Sequence, residues 1–293
     1  MTHILPDTQD QAFVDLQPRL FAVAYRMLGT VSDAEDIVQD AYLRWQRADQ
    51  GRVHDSTGYL IRITTRLCLD HLRAAKSRRE AYTGEWLPEP LVTNDATERL
   101  DRDVSIALLL SLERLTPRER AAFLLHDVFE HNYDELALAL DRSIATCRQL
   151  VSRARKHVRQ NKPRALVDDA TGRDLVNAFF TAAKGGDTQA LTQLLAQDVR
   201  LHSDGGGKVL ATLNPILGRD KVIRFFAGLA RKSAGYPGLR WTVCELNGQP
   251  AIVSREPGGI LQAASFEIEE RRITKIYMTR NPDKTRHLAQ VLE

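Results

Sequence analysis

Between Tyr133 and Lys156 the sequence YDELALALDRSIATCRQLVSRARK sets two helical patterns on either side of a tight turn. A short helix over Asp134 to Leu140 meets Asp141-Arg142, and Ser143 is suited to cap a longer second helix. In that second helix Cys147, Val151, Ala154 and Val158 fall at offsets of four, seven and eleven, which places them on one buried face. Arg148, Gln149, Ser152, Arg155 and Lys156 then occupy the other side. Two helices joined this way make a helix-turn-helix, whose second helix can enter a DNA major groove. Arginine and glutamine suit guanine and adenine edges, and Arg155 and Lys156 suit phosphates. The candidate DNA-binding set is Ser143, Thr146, Arg148, Gln149, Ser152, Arg153, Arg155 and Lys156. Upstream, Thr116-Pro117-Arg118-Glu119 reads as a helix start with N-cap, first-turn proline and capping-box glutamate. A basic helical hairpin can also be a plain packing unit.

Charge distribution bears on that choice. The net charge is only +3, yet Arg142 to Arg164 holds eight basic residues and no acidic one. A second basic concentration runs from Arg62 to Arg79. Local patches of this kind, more than the total, attract phosphate. The second run lies in an all-helical segment over residues 10–80. Its first helix buries Phe13, Leu16, Leu20, Val23 and Met27 and ends at Gly29. Its second, capped by Ser32, buries Ile37, Val38, Ala41 and Trp45 while Asp33, Asp36, Asp40 and Arg44 face elsewhere. Its third buries Leu60, Ile63, Leu67 and Leu72. Arg62, Arg66 and Arg73 on that helix lie within about 40° of one another and form one basic stripe.

A linker over 81–100 carries Gly84, Pro88 and Pro90, against a continuous helix. Trp86 and Leu87 are apolar for a free linker and are expected to dock. The next helical segment spans 101–162. From 172 to 293 the character changes: helices at Leu175 to Ala183 and, behind an Asp187 cap, Thr188 to Ala196, then a strand at Val199 to His202. After DGGGKV come a helix with Val222, Phe225, Phe226 and Leu229, and strands at Leu239 to Leu246, Ala251 to Ser254, Ile260 to Ile268 and Ile273 to Met278. That order predicts an α+β domain whose curved sheet leaves a central pocket, with room for a small-molecule ligand. The chain is therefore expected to be multidomain, two all-α domains followed by an α+β domain.

Some classes are disfavoured. Cys68, Cys147 and Cys244 form no CxxC pair and read as core residues, and the eight histidines show no HExxH spacing, so neither metal nor cofactor is expected. No run of eighteen apolar residues and no signal pattern at MTHILPDTQD appears, which predicts a cytoplasmic protein with no membrane partner.

Segment by segment, the chain resembles a bacterial sigma-70 family sigma factor of the extracytoplasmic-function (ECF) type. AEDIVQDAYLRWQ (Ala34 to Gln46) is similar to the core-polymerase-binding helix of sigma region 2, and GYLIRITTRLCLDHLR (Gly58 to Arg73) to the part that engages the promoter −10 element. Leu115 to Lys156 resembles region 4, which reads the −35 element, and no region 3 lies between. WLPEP (Trp86 to Pro90), DGGGK (Asp204 to Lys208) and NPDK (Asn281 to Lys284) resemble the strings of the SigJ-like subgroup, which carries a fused SnoaL-like (NTF2-like) domain. Arg66 stands where many relatives outside that subgroup have asparagine, Asp141 where glycine is common at the turn, and Thr285 where the subgroup's last string ends in leucine.

The resemblance implies a core RNA polymerase contact through Asp33, Asp36, Gln39, Asp40 and Arg44, and promoter contacts through Arg62, Arg66 and Arg73 as well as the helix-turn-helix set. It also implies regulation in cis. Trp86, Leu87 and Pro88 are expected to meet Asp204, Gly205, Gly206, Gly207 and Lys208, together with Asn281, Pro282, Asp283 and Lys284, in a joint contact. A sigma factor is not an enzyme; polymerase does the chemistry. Two other readings stay open from the residues alone: a helix-turn-helix regulator with a ligand-binding C-terminal domain, and an enzyme in which His202, Asp204, Asp220 and Arg240 line a pocket.

Overall fold

The computed structural model describes residues 8–80, 82–93, 104–159, 169–233, 238–256 and 258–293. Lys162 and Arg164 of the long basic run lie outside the described residues, as do Ala81 and residues 94–100 of the linker. Two compact units form. One gathers the helices up to Glu80 and from Ala107 to Arg159, and the other gathers the linker segment 82–93 with residues from Asp169 onward.

The first unit opens with α1 (Thr8–Leu28), α2 (Val31–Gln46) and α3 (Ser56–Glu80). Phe13, Leu20, Val23 and Met27 are buried as the spacing predicts. Gly29 turns the chain with φ +74°, and α2 starts from Thr30 rather than Ser32. The left-handed glycine brings the helix start forward, and the Thr30 hydroxyl donates to the Asp33 carboxylate at 2.5 Å and accepts from no backbone amide as a cap. α2 buries Ala34, Ile37, Val38, Ala41 and Trp45. α3 is covered on more than one side, with Leu60, Leu67 and Leu72 joined by Ile61, Cys68 and Leu69 in the core.

α4 (Ile106–Glu113) leads to α5 (Pro117–Phe123), whose Thr116 and Glu119 form the expected capping box. The chain then passes through one π turn (Leu124–Val128) into α6 (Tyr133–Leu140) and α7 (Ile144–Arg159). Asp141 between them sits at φ +53°, the left-handed conformation that aspartate tolerates better than most residues. Arg120 of α5 is buried; it donates to the Met27 carbonyl at 2.5 Å and to Glu113 at 2.7 Å, tying α5 back to the end of α1.

The second unit is a six-stranded sheet, β1 (Leu195–Asp204), β2 (Ile216–Leu217), β3 (Arg240–Leu246), β4 (Gln249–Arg255), β5 (Leu261–Glu269) and β6 (Arg272–Thr279), in the order β2-β1-β6-β5-β4-β3. β1 and β6 are parallel and the remaining pairs antiparallel. α8 (Asp169–Gly185), α9 (Thr188–Leu194) and α10 (Arg219–Ser233) supply the core of one face. There Phe179 meets Phe226 at 5.1 Å and Phe266 at 5.2 Å in an aromatic cluster.

Strand residues alternate between faces. Ile252 and Ala264 belong to that core, while Ala251, Val253, Ala263 and Leu246 form a second core on the opposite face. Leu288 and Leu292, from the 3-10 segment Arg286–Leu292 after α11 (Pro282–Thr285), close it. The linker completes the cover: Val92 bridges antiparallel to Leu246 on the edge strand β3. The fold class is the expected one, all-α regions followed by an α+β domain. Because both faces are covered, the strands read as apolar runs with little alternation.

Candidate nucleic-acid interface and linker node

α7 presents the residues that its periodicity predicted. Cys147, Val151, Ala154 and Val158 are buried, and Arg148, Gln149, Ser152, Arg153, Arg155 and Lys156 are exposed. Ser143 caps the helix by accepting from the Thr146 amide at 3.2 Å, and the two hydroxyls lie 2.9 Å apart. Two of the cations are engaged within the unit. Arg148 stands 5.3 Å from the Tyr133 ring, itself packed on His126 at 4.3 Å. Arg155 donates to both carboxylate oxygens of Asp127, at 2.8 and 2.6 Å, and this acceptor pushes its pKa further up.

Arg62 and Arg66 of α3 line a groove of about 690 Å³ with Asp134, Ala137, Leu138, Asp141, Arg142 and Ser143. Arg62 is half-buried over the Tyr59 ring at 5.3 Å, whereas Arg66 is exposed. Arg73 is paired with Asp70 at 2.7 Å. On α2, Asp36, Gln39, Asp40 and Arg44 are exposed. Asp33 is half-buried, with His71 of α3 at 3.5 Å.

The three short strings meet in the second unit, around Asp204. Its side chain has no solvent exposure and accepts from the Tyr82 hydroxyl at 2.6 Å, the Leu87 amide at 2.9 Å, the Gly206 amide at 2.9 Å and the Lys284 ammonium at 2.8 Å. Lys284 is buried as well. It donates to the Leu87 carbonyl at 2.6 Å and lies 4.2 Å from the Trp86 ring and 5.0 Å from the Tyr82 ring. A buried cation paired with a carboxylate, a carbonyl and two aromatic faces has its desolvation offset from every side. Lys208 reaches Asp283 at 2.5 Å, and the Asn281 amide donates to the Asp204 carbonyl at 3.0 Å, so DGGGK and NPDK are stitched directly. Gly206 sits at φ +62° against Asn281, where a Cβ would collide with the amide. Gly205 is buried, Gly207 lies beside Thr83, Pro88 is buried, and Pro282 opens α11. Thr285 is buried, and its hydroxyl donates to the Asn281 carbonyl at 3.2 Å.

Sequence reasoning missed the rest of the linker's grip. Glu85 pairs with His202 at 2.7 Å, and His202 stacks on Tyr277 at 5.3 Å. His287 faces the Pro90 carbonyl at 2.7 Å and Glu89 at 3.3 Å. Tyr82, the hub's third member, had no signal beyond lying four residues before Trp86. Its hydroxyl pKa is pushed up, first by burial and then by Asp204; that of Tyr277 is pushed up by burial and by Glu267. The residues of the enzyme reading are each committed differently: His202 to Glu85, Asp204 to Lys284, Arg240 to the Leu292 carbonyl at 2.8 Å, and Asp220 exposed in the first turn of α10.

Known proteins share this layout. The Sigma-70 region 2 family model matches residues 12–78 and the Sigma-70, region 4 model residues 105–158. The ECF RNA polymerase sigma factor SigJ of Mycobacterium tuberculosis is 43% identical over 234 residues, 78% of this chain and 74% of that protein. The probable ECF RNA polymerase sigma factor SigI of the same species is 35% identical over 277 residues, 90% of each chain. The crystal structure of M. tuberculosis SigJ matches with a TM-score of 0.77 at 33% identity, covering 96% of this chain and 98% of that one. Both helical regions, the linker and the sheet fall within these matches, and the chain belongs to the extracytoplasmic-function sigma factors of the sigma-70 family.

Proposed function

We propose that this sigma factor binds core RNA polymerase through the α2 face of Asp33, Asp36, Gln39, Asp40 and Arg44, and places promoter DNA on α3 and α7. Arg62, Arg66 and Arg73 serve the −10 element, and Ser143, Thr146, Arg148, Gln149, Ser152, Arg153 and Lys156 serve the −35 element. Two weak grips on one chain gain from effective concentration, which depends on the length of free tether between them. Segment 82–93 of that tether is held on the C-terminal sheet. The C-terminal domain therefore acts in cis, setting how freely the two DNA-binding regions separate. The reading needs no cofactor, ligand or catalysis by the chain itself, and it places the protein with polymerase in the cytoplasm.

The observation that carries the cis control is the enclosure of Lys284 by Trp86, Tyr82, the Leu87 carbonyl and Asp204. The test compares the full chain with its Trp86→Ala variant for affinity to core polymerase and for promoter output. The full chain binds core tightly, and the variant changes output severalfold. Absence of core binding removes the polymerase role. Unchanged output together with unchanged compactness by small-angle scattering removes the cis control.

A further inference from the structure

The basic residues of α7 are not equivalent. At about 100° per residue, and measured from the middle of the buried stripe, Arg155 lies about 70° round the helix and Arg148 about 90°. Gln149 and Lys156 point about 170° away, and Ser152 and Arg153 stand about 130° away on opposite sides. Arg155 is thus the cation nearest the core boundary, and it faces the π turn that precedes α6. That turn is well anchored: Leu124 and Leu125 are buried, and their carbonyls accept from the Phe129 and His131 amides at 2.9 Å each. Asp127 of the turn is held with its side chain 18% exposed, and both its oxygens take the Arg155 guanidinium. Among the described residues, Arg153 and Lys156 make no ion pair.

We propose that Asp127 is a positioning residue that withdraws Arg155 from the DNA phosphates. Arg155 ties the recognition helix to the turn behind it, and among the described residues Arg153 and Lys156 are left as the phosphate-reaching cations at this end of α7. A fork-to-fork arginine–carboxylate pair fixes direction as well as distance, so it sets the roll of the helix toward the groove. Its charge is already compensated, so docking DNA there releases no additional counterion. Arg155 stands in the candidate DNA set because it lies outside the stripe of Cys147, Val151, Ala154 and Val158, although at that stripe's flank. The partner that claims it comes from 28 residues upstream.

The inference rests on α7 being the −35 reader, and one experiment separates the two. Holoenzyme reconstituted from core polymerase and the full chain is bound to a promoter fragment obtained by in vitro selection, across about 50–200 mM salt. Each lost phosphate contact flattens the slope of log affinity against log salt by about 0.9. Lys156→Gln and Arg153→Gln each flatten it by that amount, and Arg155→Gln leaves it unchanged. Asp127→Asn lowers the melting temperature of the full chain as much as Arg155→Gln does, the double variant melts no lower than either, and Asp127→Glu restores it. A slope loss for Arg155→Gln equal to that for Lys156→Gln overturns the proposal and leaves the α7 reading standing. Additive melting losses overturn the pairing. Unchanged slopes for all three arginine and lysine variants strike down the α7 reading itself, and the proposal with it.

Discussion

Lys284 holds the linker through charge, and the charge is what makes the contact discriminating. Its ammonium and the Asp204 carboxylate are both buried, so neither can be left alone without a large penalty. Removing one partner of such a pair costs about 3–5 kcal/mol, whereas replacing both with apolar groups can be close to neutral. Lys284→Met is therefore expected to destabilise the C-terminal unit by about 3 kcal/mol, read as a lower thermal midpoint. Its Trp86 emission should shift to the red as the ring loses its cation and gains water. An unshifted spectrum with the midpoint preserved would mean that the linker is held by other contacts. The sequence displayed the strings WLPEP, DGGGK and NPDK, and the isolated Trp86 signalled docking. It did not display Tyr82, His202 with Glu85, or His287 with Glu89, because those partners lie between 117 and 199 residues apart and no short window contains both.

Among the elements, the helix-turn-helix was the most legible and the sheet the least. The periodicity of α7 alone separates buried from exposed residues, and Ser143 and Thr116 are caps by local chemistry. Strand ends were short of the observed β1 and β4 because burial on both faces hides the two-residue alternation. The Ser32 cap failed for a neighbouring reason, since the left-handed Gly29 decides where α2 begins. The turn between α6 and α7 carries the same conformation at Asp141, exposed at the surface. Asp141→Gly is therefore expected to keep or slightly raise stability. Asp141→Val lowers it by about 1–2 kcal/mol, the cost of a left-handed Cβ, and loosens the angle between the two helices. Chemical denaturation of both variants decides this: equal midpoints would show that the turn does not require positive φ.

For the molecule as a whole, the two compact units each carry a core of their own, so calorimetry should resolve two transitions. Lys284→Met moves only one of them. Alkali should also act selectively. Tyr82 and Tyr277 both belong to the second unit, and both hold their protons more tightly folded than unfolded. A raised folded pKa gives stability that is complete below the unfolded value near about 10 and falls away as pH rises beyond it. Between pH 9 and 11 the transition that Lys284→Met moves should drop faster than the other, and two transitions falling in parallel would contradict the protonated role of these hydroxyls.

The bridge between Val92 and Leu246 has a consequence for how the protein keeps company with itself. β3 ends the sheet, and an end strand offers a row of unmatched amides and carbonyls to any extended chain that arrives. The linker occupies part of that row: the Thr93 amide donates to the Glu245 carbonyl at 3.2 Å, and the Asn247 amide donates to the Leu91 carbonyl at 2.8 Å. A molecule that lets its linker go thus becomes, at the same moment, a template for pairing with its neighbours. Retaining the linker is a form of solubility, and its release is safest when another large partner is already there to receive the freed chain.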